Sequence, residues 1–336
     1  MKEKIKSAPV LKGALMLAIC LFFFMAIFWL TDTRISDVAN AVEEAGMFSL
    51  LLVLGAMFGQ LFIQSISWMV LLRGSEVRAS FRTSTIAIFV GWVANFFTPS
   101  MYLGGEPIRA YVLSQDTGIP FGKALGSVLV NKFLEFSAFL FFIVCGTALA
   151  FCRFRPVLCK EVQIGVALSV LGMILFFLAA LLSLALKKHF FCFACNLLVR
   201  CKIAPRFFEK NFPRVKEMED SIIDAFYQNR IYTIASFFLM LLFEFLIFIR
   251  PWFFFICLGK SLHFGELSLL FLMIQLIQAM QFTPGGIGIL EGGTVAILNA
   301  VDVLPAHAIV FATFCRLGDI LIVSTGFFAG LHRGCK

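Results

Sequence analysis

The chain has 336 residues, of which 60% are hydrophobic and only 14% are charged, and its formal net charge at pH 7 is +8. Because soluble domains average about 25% charged residues, this composition excludes a soluble protein and indicates an integral membrane protein. Basic residues in the loops of a membrane chain report its orientation first, so the positive charge does not indicate a nucleic-acid partner, and we exclude one.

Six apolar runs are long enough for a spanning helix of about 20 residues. In chain order they lie near 13–30, 47–72, 124–150, 164–186, 231–258 and 305–330. The first has a basic flank but no clear small-residue cleavage site, so we interpret it as a membrane helix. Two further runs, near 83–97 and 266–282, each end at a Phe-Thr-Pro sequence. We therefore expect an all-α polytopic membrane protein with a single membrane domain over 1–336.

The loop charges predict the topology. Basic residues cluster at both termini, in the 73–82 loop and in the segment 187–230, whereas the charged residues of the 31–46 loop are mostly acidic. The positive-inside rule places the basic regions and both termini in the cytoplasm and 31–46 outside. These four basic regions fall on the cytoplasmic side if 83–115 and 266–302 are re-entrant hairpins, whereas the basic loop 151–161 then lies outside and fits less well. The prediction is thus about six full transmembrane helices plus two re-entrant hairpins.

Two ten-residue stretches carry related sequences, FTPSMYLGGE and FTPGGIGILE. In each, a Glu follows the Pro by seven residues, giving Pro99 with Glu106 and Pro284 with Glu291. The turn-forming residues are Pro99, Gly104, Gly105, Pro284, Gly285, Gly286 and Gly288. They predict a helix break at membrane depth, which must be buried in protein or line a watery cavity. The alternative is that the glycines only allow tight helix packing.

Each stretch is followed by a cation and then, three positions later, an acid: Lys132 with Glu135, and Arg316 with Asp319. Such pairs share one helix face. We infer an internal repeat, with unit one near 83–150 and unit two near 266–330. Three predicted crossings separate the units, so the repeat is inverted, as in many secondary transporters.

Charges inside a membrane are costly and need partners or a function. The candidate substrate-binding residues are Glu106, Arg109, Lys132, Glu135, Glu244, Arg250, Glu291, Arg316 and Asp319. Arg109 stands near the start of a returning half-helix, where a guanidinium and free N–H groups suit a phosphate. The alternative is that these charges only neutralise one another, and that Arg250 snorkels to the interface beside Trp252.

Other signals are weaker. Residues 213–228 have apolar side chains at helical spacing, which predicts an amphipathic helix lying on the inner leaflet or packed against the spanning helices. His189, Cys192, Cys195 and Cys201 could hold zinc, but their neighbours are greasy, so we predict no metal site and no cofactor. A Cys152–Cys159 disulfide stays open. No nucleotide-binding loop, serine nucleophile elbow or zinc-protease motif is present.

The stretches NFFTPSMYLGGEPIRAYVL, GIPFGKALGSVLVNKFLE, FTPGGIGILEGG and FCRLGDI resemble the lysylphosphatidylglycerol synthase transmembrane (flippase) family over roughly 10–330. The resemblance implies translocation of an aminoacylated or other phosphate-headed lipid. Members often have Arg and Asp where this chain has Lys132 and Glu135. With no soluble aminoacyl-transfer domain in the chain, we expect it to be a stand-alone member rather than the synthase.

We therefore expect a non-ATP-driven lipid flippase in a prokaryotic inner membrane, with phospholipid as the partner. A separate lipid-modifying enzyme and a homo-oligomer are kept open as further partners. Two alternatives remain. One is an intramembrane enzyme acting on a lipid phosphate with Glu106 or Glu291 as general base, and the other is an ion- or proton-coupled transporter for a small solute.

Overall fold

The computed structural model describes residues 33–98, 104–153, 205–279 and 284–334, with single positions between 168 and 200. The regular elements in these ranges are all helical, without a strand. The helices are α1 (Ile35–Gly74), α2 (Phe81–Phe97), α3 (Glu106–Thr117), α4 (Phe121–Arg153), α5 (Pro205–Tyr227), α6 (Arg230–Cys257), α7 (Phe264–Ala279), α8 (Ile289–Ala300) and α9 (Pro305–Gly334). The expected all-α class is confirmed.

Four helices, α1, α4, α6 and α9, are long and apolar enough to cross a membrane. The predicted crossing near 13–30 lies outside the described residues, and only single positions of 164–186 are described. The prediction of a loop over 31–46 is wrong in part, because α1 already begins at Ile35. The Asp37 carboxylate accepts the Arg34 N–H at 3.1 Å and so supports this first turn. At Gly46, with a φ of 69°, the backbone leaves helical geometry.

The backbone breaks at both Phe-Thr-Pro stretches. Pro99 lies outside the described residues, but α2 has ended at Phe97 and α3 begins after Gly105. In the second stretch, Pro284 starts a 3-10 turn that extends to Gly286, and α8 begins after Gly288. Gly288 has a φ of 85°, a backbone conformation that L residues with a side chain rarely adopt. Glycine is therefore required at this break by geometry.

The helices pack in a pattern that repeats along the chain. Helix α2 contacts α3, and α3 contacts α4, just as α7 contacts α8, and α8 contacts α9. Across the molecule, α2 packs against α9 and α7 against α4, while α1 packs against α9 and α6 against α4. Helices α1 and α6 pack against each other. Each of these contacts has a counterpart when α1–α4 are exchanged with α6–α9, so α1 and α6 take part in the same contact pattern as the helices of the two predicted units.

Helix α5 covers the predicted amphipathic segment and starts earlier than expected, at Pro205. Met218 and Ile222 are buried in one apolar cluster with Leu134 and Ala138 of α4. A Cβ on Gly126 of α4 would lie only 2.7 Å from the Ser221 Cβ, so the two helices approach closely. Of the two interpretations of this segment, packing against the spanning helices is thus the one that the structure supports.

Candidate functional site

One cavity of about 330 Å³ lies between the two sets of helices. Its lining includes all nine charged residues singled out in the sequence: Glu106, Arg109, Lys132, Glu135, Glu244, Arg250, Glu291, Arg316 and Asp319. They come from α3, α4, α6, α8 and α9, which are far apart in the chain. The structure therefore brings the predicted residues together, while their role in binding a substrate stays a prediction.

Lys132 and Glu135 form an ion pair within α4. Lys132 Nζ lies 2.6 Å from Glu135 Oε1, as the three-residue spacing predicts. Gln64 of α1 donates from Nε2 to the other carboxylate oxygen, Oε2, at 3.0 Å. The Lys132 ammonium is thus already neutralised by a carboxylate that is itself held from a second helix.

Arg109 is buried, with 4% of its surface exposed, and it is held on two sides. One terminal nitrogen donates to Asn131 Oδ1 at 3.0 Å. The guanidinium carbon lies 4.7 Å from the centre of the Trp68 ring, in cation–π geometry. Its Nε is buried and has no acceptor among the described residues. The guanidinium is therefore fixed in place with one donor still available.

Asn131 extends this contact into a hydrogen-bond chain that crosses three helices. Its Nδ2 donates to Ser67 Oγ of α1 at 3.2 Å. Ser67 Oγ in turn lies 2.6 Å from Ser236 Oγ of α6. Asn131, Ser67 and Ser236 are all fully buried. The orientation of Arg109 thus depends on the packing of α1, α4 and α6.

Glu106 and Glu244 differ from the other acids of the cavity. Their exposed fractions are 4% and 2%, and each has a buried Oε2 without a hydrogen-bond partner in the described part of the chain. Glu106 interacts electrostatically with Lys132 and Arg109. Glu244 interacts with Lys132 and with the like charge of Glu135. Neither carboxylate forms an ion pair with a cation in the described part of the chain.

The second repeat holds a tighter network. Arg316 Nε donates to Glu291 Oε1 at 2.7 Å, and Arg316 Nη1 donates to the carbonyl oxygen of Gly285 at 2.9 Å. The Asp319 carboxylate oxygen Oδ2 lies 3.6 Å from Nη1. The other oxygen of Glu291 accepts the Gly288 N–H at 2.8 Å. Arg316 therefore joins α9 to the helix break and to the first turn of α8.

Arg250 of α6 lines the cavity close to this second network. It interacts electrostatically with Asp319, and its buried Nε has no acceptor within the described ranges. Helix α6 continues through Pro251 to Cys257. An arginine turned towards an interior cavity does not fit the alternative of a side chain that snorkels to the interface beside Trp252.

The two repeats place different residues at corresponding positions. Arg109 follows Glu106 by three residues, and Thr294 follows Glu291 by the same interval. Both Arg109 and Thr294 are buried and line the cavity. The first repeat thus supplies a guanidinium where the second supplies a hydroxyl. The cavity is chemically asymmetric although the helices around it are related by the repeat.

The two helix breaks meet in space. The Phe96 ring at the end of α2 packs over Gly285, where an added Cβ would lie 2.5 Å from the ring. At the first break, Gly105 lies so close to Gly91 that a Cβ on Gly105 would collide with the Gly91 carbonyl oxygen. Asn95 Oδ1 accepts the Gly105 N–H at 2.6 Å. Glycine at 285 therefore lets the Phe96 ring approach the second break, and glycines at 91 and 105 let the first break lie close against α2.

Sequence reasoning missed several uncharged residues of the cavity. Gln60 and Gln64 are buried on α1, and Asn95 lies at the end of α2. The two glutamines stand four residues apart in an apolar helix, which places them on one face. That spacing was a usable signal. The signal for Asn131, the partner of Arg109, was weaker, because its one distinguishing feature is that it directly precedes Lys132.

Among the described residues, no group of three or more His, Cys, Asp and Glu side chains is placed to hold a metal ion. Of the four residues considered for zinc, only Cys192 belongs to the described part, so that alternative stays untested. The Cys152 side chain and Cys159 also lie outside it.

The fold and the cavity define a helical, multi-pass membrane protein with a charged cavity between two sets of helices. The chain belongs to the family described as the lysylphosphatidylglycerol synthase TM region, which matches residues 11–325. The resemblance drawn from the sequence motifs is thereby confirmed.

Three relatives are similar over most of their length. A UPF0104 membrane protein of Methanothermobacter thermautotrophicus is 23% identical over 326 residues, 93% of each chain. Another from Methanocaldococcus jannaschii is 24% identical and covers 80% of each chain. A third, from Pyrococcus horikoshii, is 22% identical and covers 76% of this chain and 78% of its own. No solved structure matches the chain.

Proposed function

We propose that the protein moves a phosphate-headed phospholipid between the leaflets of a prokaryotic inner membrane without ATP. The single observation behind this proposal is the cavity, whose lining combines charged groups with a wall of aromatic side chains. Phe139, Phe248 and Phe271 line that wall, and the rings of Phe139 and Phe248 lie 6.0 and 5.8 Å from that of Phe271. A ligand with one charged end and one apolar end matches such a lining.

The size of the cavity supports a headgroup as the part that enters. Its volume of about 330 Å³ is at the low end of the range of about 300–1,000 Å³ for small-molecule sites. The acyl chains would remain between the apolar helices or in the surrounding lipid. The headgroup alone would thus cross the polar interior.

The donors at the cavity support an anionic group in that headgroup. Arg109 and Arg250 each have a buried Nε without an acceptor in the described part of the chain. A guanidinium binds phosphate through parallel N–H donors, and unsatisfied buried donors are costly. A phosphate would satisfy either donor. Glu106 and Glu244 would then face a cationic or hydroxylated part of the headgroup.

The short helices support a re-entrant arrangement. Helices α3 and α8 have 12 residues each, so each is only about 18 Å long, against about 30 Å of hydrocarbon. Each follows a helix of 17 or 16 residues that it contacts. We propose that α2–α3 and α7–α8 are re-entrant hairpins of opposite orientation, with both termini of the chain in the cytoplasm.

Lipid translocation by purified protein in vesicles tests the proposal. The measurement is the chemical accessibility of headgroups placed in one leaflet only, without nucleotide. Wild type should speed the exchange of leaflets, and Arg109→Ala should abolish most of this activity. Arg82→Ala removes an exposed arginine outside the cavity and is the matched control. An inactive wild type, or full activity in Arg109→Ala, would refute the proposal.

The same vesicles separate the alternatives. The Oε2 atom of Glu106 has no hydrogen-bond partner among the described residues. This favours a second candidate function, an enzyme that uses Glu106 as a general base on a lipid phosphate. Chromatography of labelled lipid before and after incubation would show a chemically altered product in that case. Uptake of a small solute without lipid movement would indicate the small-solute transporter.

A further inference from the structure

The charges of the cavity are unequally divided. In the second repeat and the adjoining part of α6, the acids Glu291 and Asp319 are matched by Arg250 and Arg316. The other five charges form the first cluster: Glu106, Arg109, Lys132, Glu135 and Glu244. This cluster has three carboxylates and only two cations. Among the described residues that line the cavity, one negative charge is therefore left without a counter-charge.

We assign this excess negative charge to Glu244. The cation that acts on it, Lys132, is already bonded to Glu135 at 2.6 Å. Arg250 stands on the same helix but acts on Asp319. Glu244 is 2% exposed, lines the cavity, and its Oε2 has no donor among the described residues. A lone carboxylate so deeply buried is expensive and in practice is neutralised.

Acceptors without a donor line the same cavity as Glu244. Gln60 Oε1 and Glu106 Oε2, which line the same cavity, are also buried without a donor in the described ranges. The charged groups facing the cavity near Glu244 are Lys132 and Glu135 of α4 and Glu106 and Arg109 of α3. Helices α1 and α7 pack against α6 but contribute only uncharged side chains to the cavity, and α5 contributes none of the lining residues.

We propose that Glu244 is a proton-binding site of the cavity, at which Oε2 takes up one proton and the carboxylate becomes a neutral acid. The proton brings the missing positive charge and also a hydrogen-bond donor. A metal cation would bring only the charge and would need several ligands, whereas no cluster of three or more metal-binding acid, His or Cys side chains exists in the described part of the chain. Proton binding stands independently of the proposed function. Its coupling to lipid movement rests on that function.

Infrared difference spectroscopy of the full-length protein in detergent, recorded between alkaline and acidic buffer, tests the site. A protonated carboxylic acid has a C=O stretch that a carboxylate lacks. Wild type should gain such a band on acidification, and Glu244→Gln should lose it. Glu43→Gln, which removes an exposed acid of α1, should keep it. Glu244→Asp retains a carboxyl group and should shift the band, so that the assignment does not depend on the Gln variant folding.

Three results would overturn the proposal. They are a wild type without the band, an unchanged band in both Glu244 variants, and loss of the band on adding sodium at constant pH, which would assign the site to a metal cation. Coupling is tested separately in vesicles. A pH gradient should then change the direction or rate of wild-type lipid exchange. Exchange that ignores the gradient would refute coupling alone, whereas no exchange at all would refute the proposed function.

Discussion

Arg316 pairs with Glu291 at 2.7 Å, although the two residues are 25 positions apart and Arg316 also has an acid three positions later on its own helix. The corresponding cation of the first repeat, Lys132, bonds to the acid on its own helix instead. A guanidinium has five donors and can bond several groups at once, whereas the lysine ammonium is a compact point charge. The difference leaves Glu106 without an ion-pair partner among the described residues, whereas Glu291, at the corresponding position of the second motif, is paired with Arg316.

Because Arg316 joins α9 to the second break, we expect Arg316→Ala to destabilise the protein by about 3 kcal/mol, the cost of leaving a buried partner unpaired. Thermal unfolding in detergent measures this loss. Arg316→Lys should recover only part of it, since an ammonium cannot reproduce the fork to Glu291 and the Gly285 carbonyl. Equal stability of Arg316→Ala and the exposed control Arg82→Ala would contradict the prediction.

A glycine pair on α9 tests the packing of α2 against α9. A Cβ on Gly326 would collide with the Phe89 carbonyl oxygen, whereas a Cβ on Gly330, one turn later, would lie 3.5 Å from Val90. We expect Gly326→Ala to cost about 1–3 kcal/mol, because backbone must move, and Gly330→Ala to change stability by less than about 0.5 kcal/mol. Unfolding midpoints compare the two directly. Similar midpoints would mean that α2 and α9 do not pack as described.

The contact between the two breaks can be probed by compensation. Gly285→Ala should impair both stability and lipid exchange, because its Cβ would strike the Phe96 ring. Phe96→Leu in the same chain should restore part of both by giving room. The strain of a positive φ at position 285 should remain, at about 1 kcal/mol. If Phe96→Leu gives no rescue, the contact is not what limits the substitution.

Asn131 is expected to act as a positioning residue for Arg109. Asn131→Leu removes the acceptor of an Arg109 donor and the donor to Ser67, so it should cost about 1–3 kcal/mol in stability. It should also weaken inorganic phosphate binding to the purified protein. Gln228→Leu is the control for the change in side-chain type, because it alters an exposed amide that donates to Asp224 of α5. Phosphate binding as tight as wild type in Asn131→Leu would argue against positioning.

Much of the fold follows from local sequence. Apolar runs of sufficient length predicted α1, α4, α6 and α9, because spanning helices satisfy their own backbone hydrogen bonds. Proline and glycine predicted both breaks. The start of α1 at Ile35 was missed because its acidic first turns are not apolar. The matching contacts of α1 and α6 were not predicted, because neither helix carries the Phe-Thr-Pro sequence.

By itself, the sequence determined that the chain is a helical membrane protein, where its helices break, and which nine charged residues need an explanation. Only the tertiary structure decided which charges meet. Lys132 bonds its own helix neighbour and Arg316 bonds Glu291, because a choice among partners depends on the packing of distant helices and on side-chain shape. For the same reason, only the tertiary structure shows that Glu244 has no ion-pair partner among the described residues and that Arg109 is held by Asn131 and Trp68.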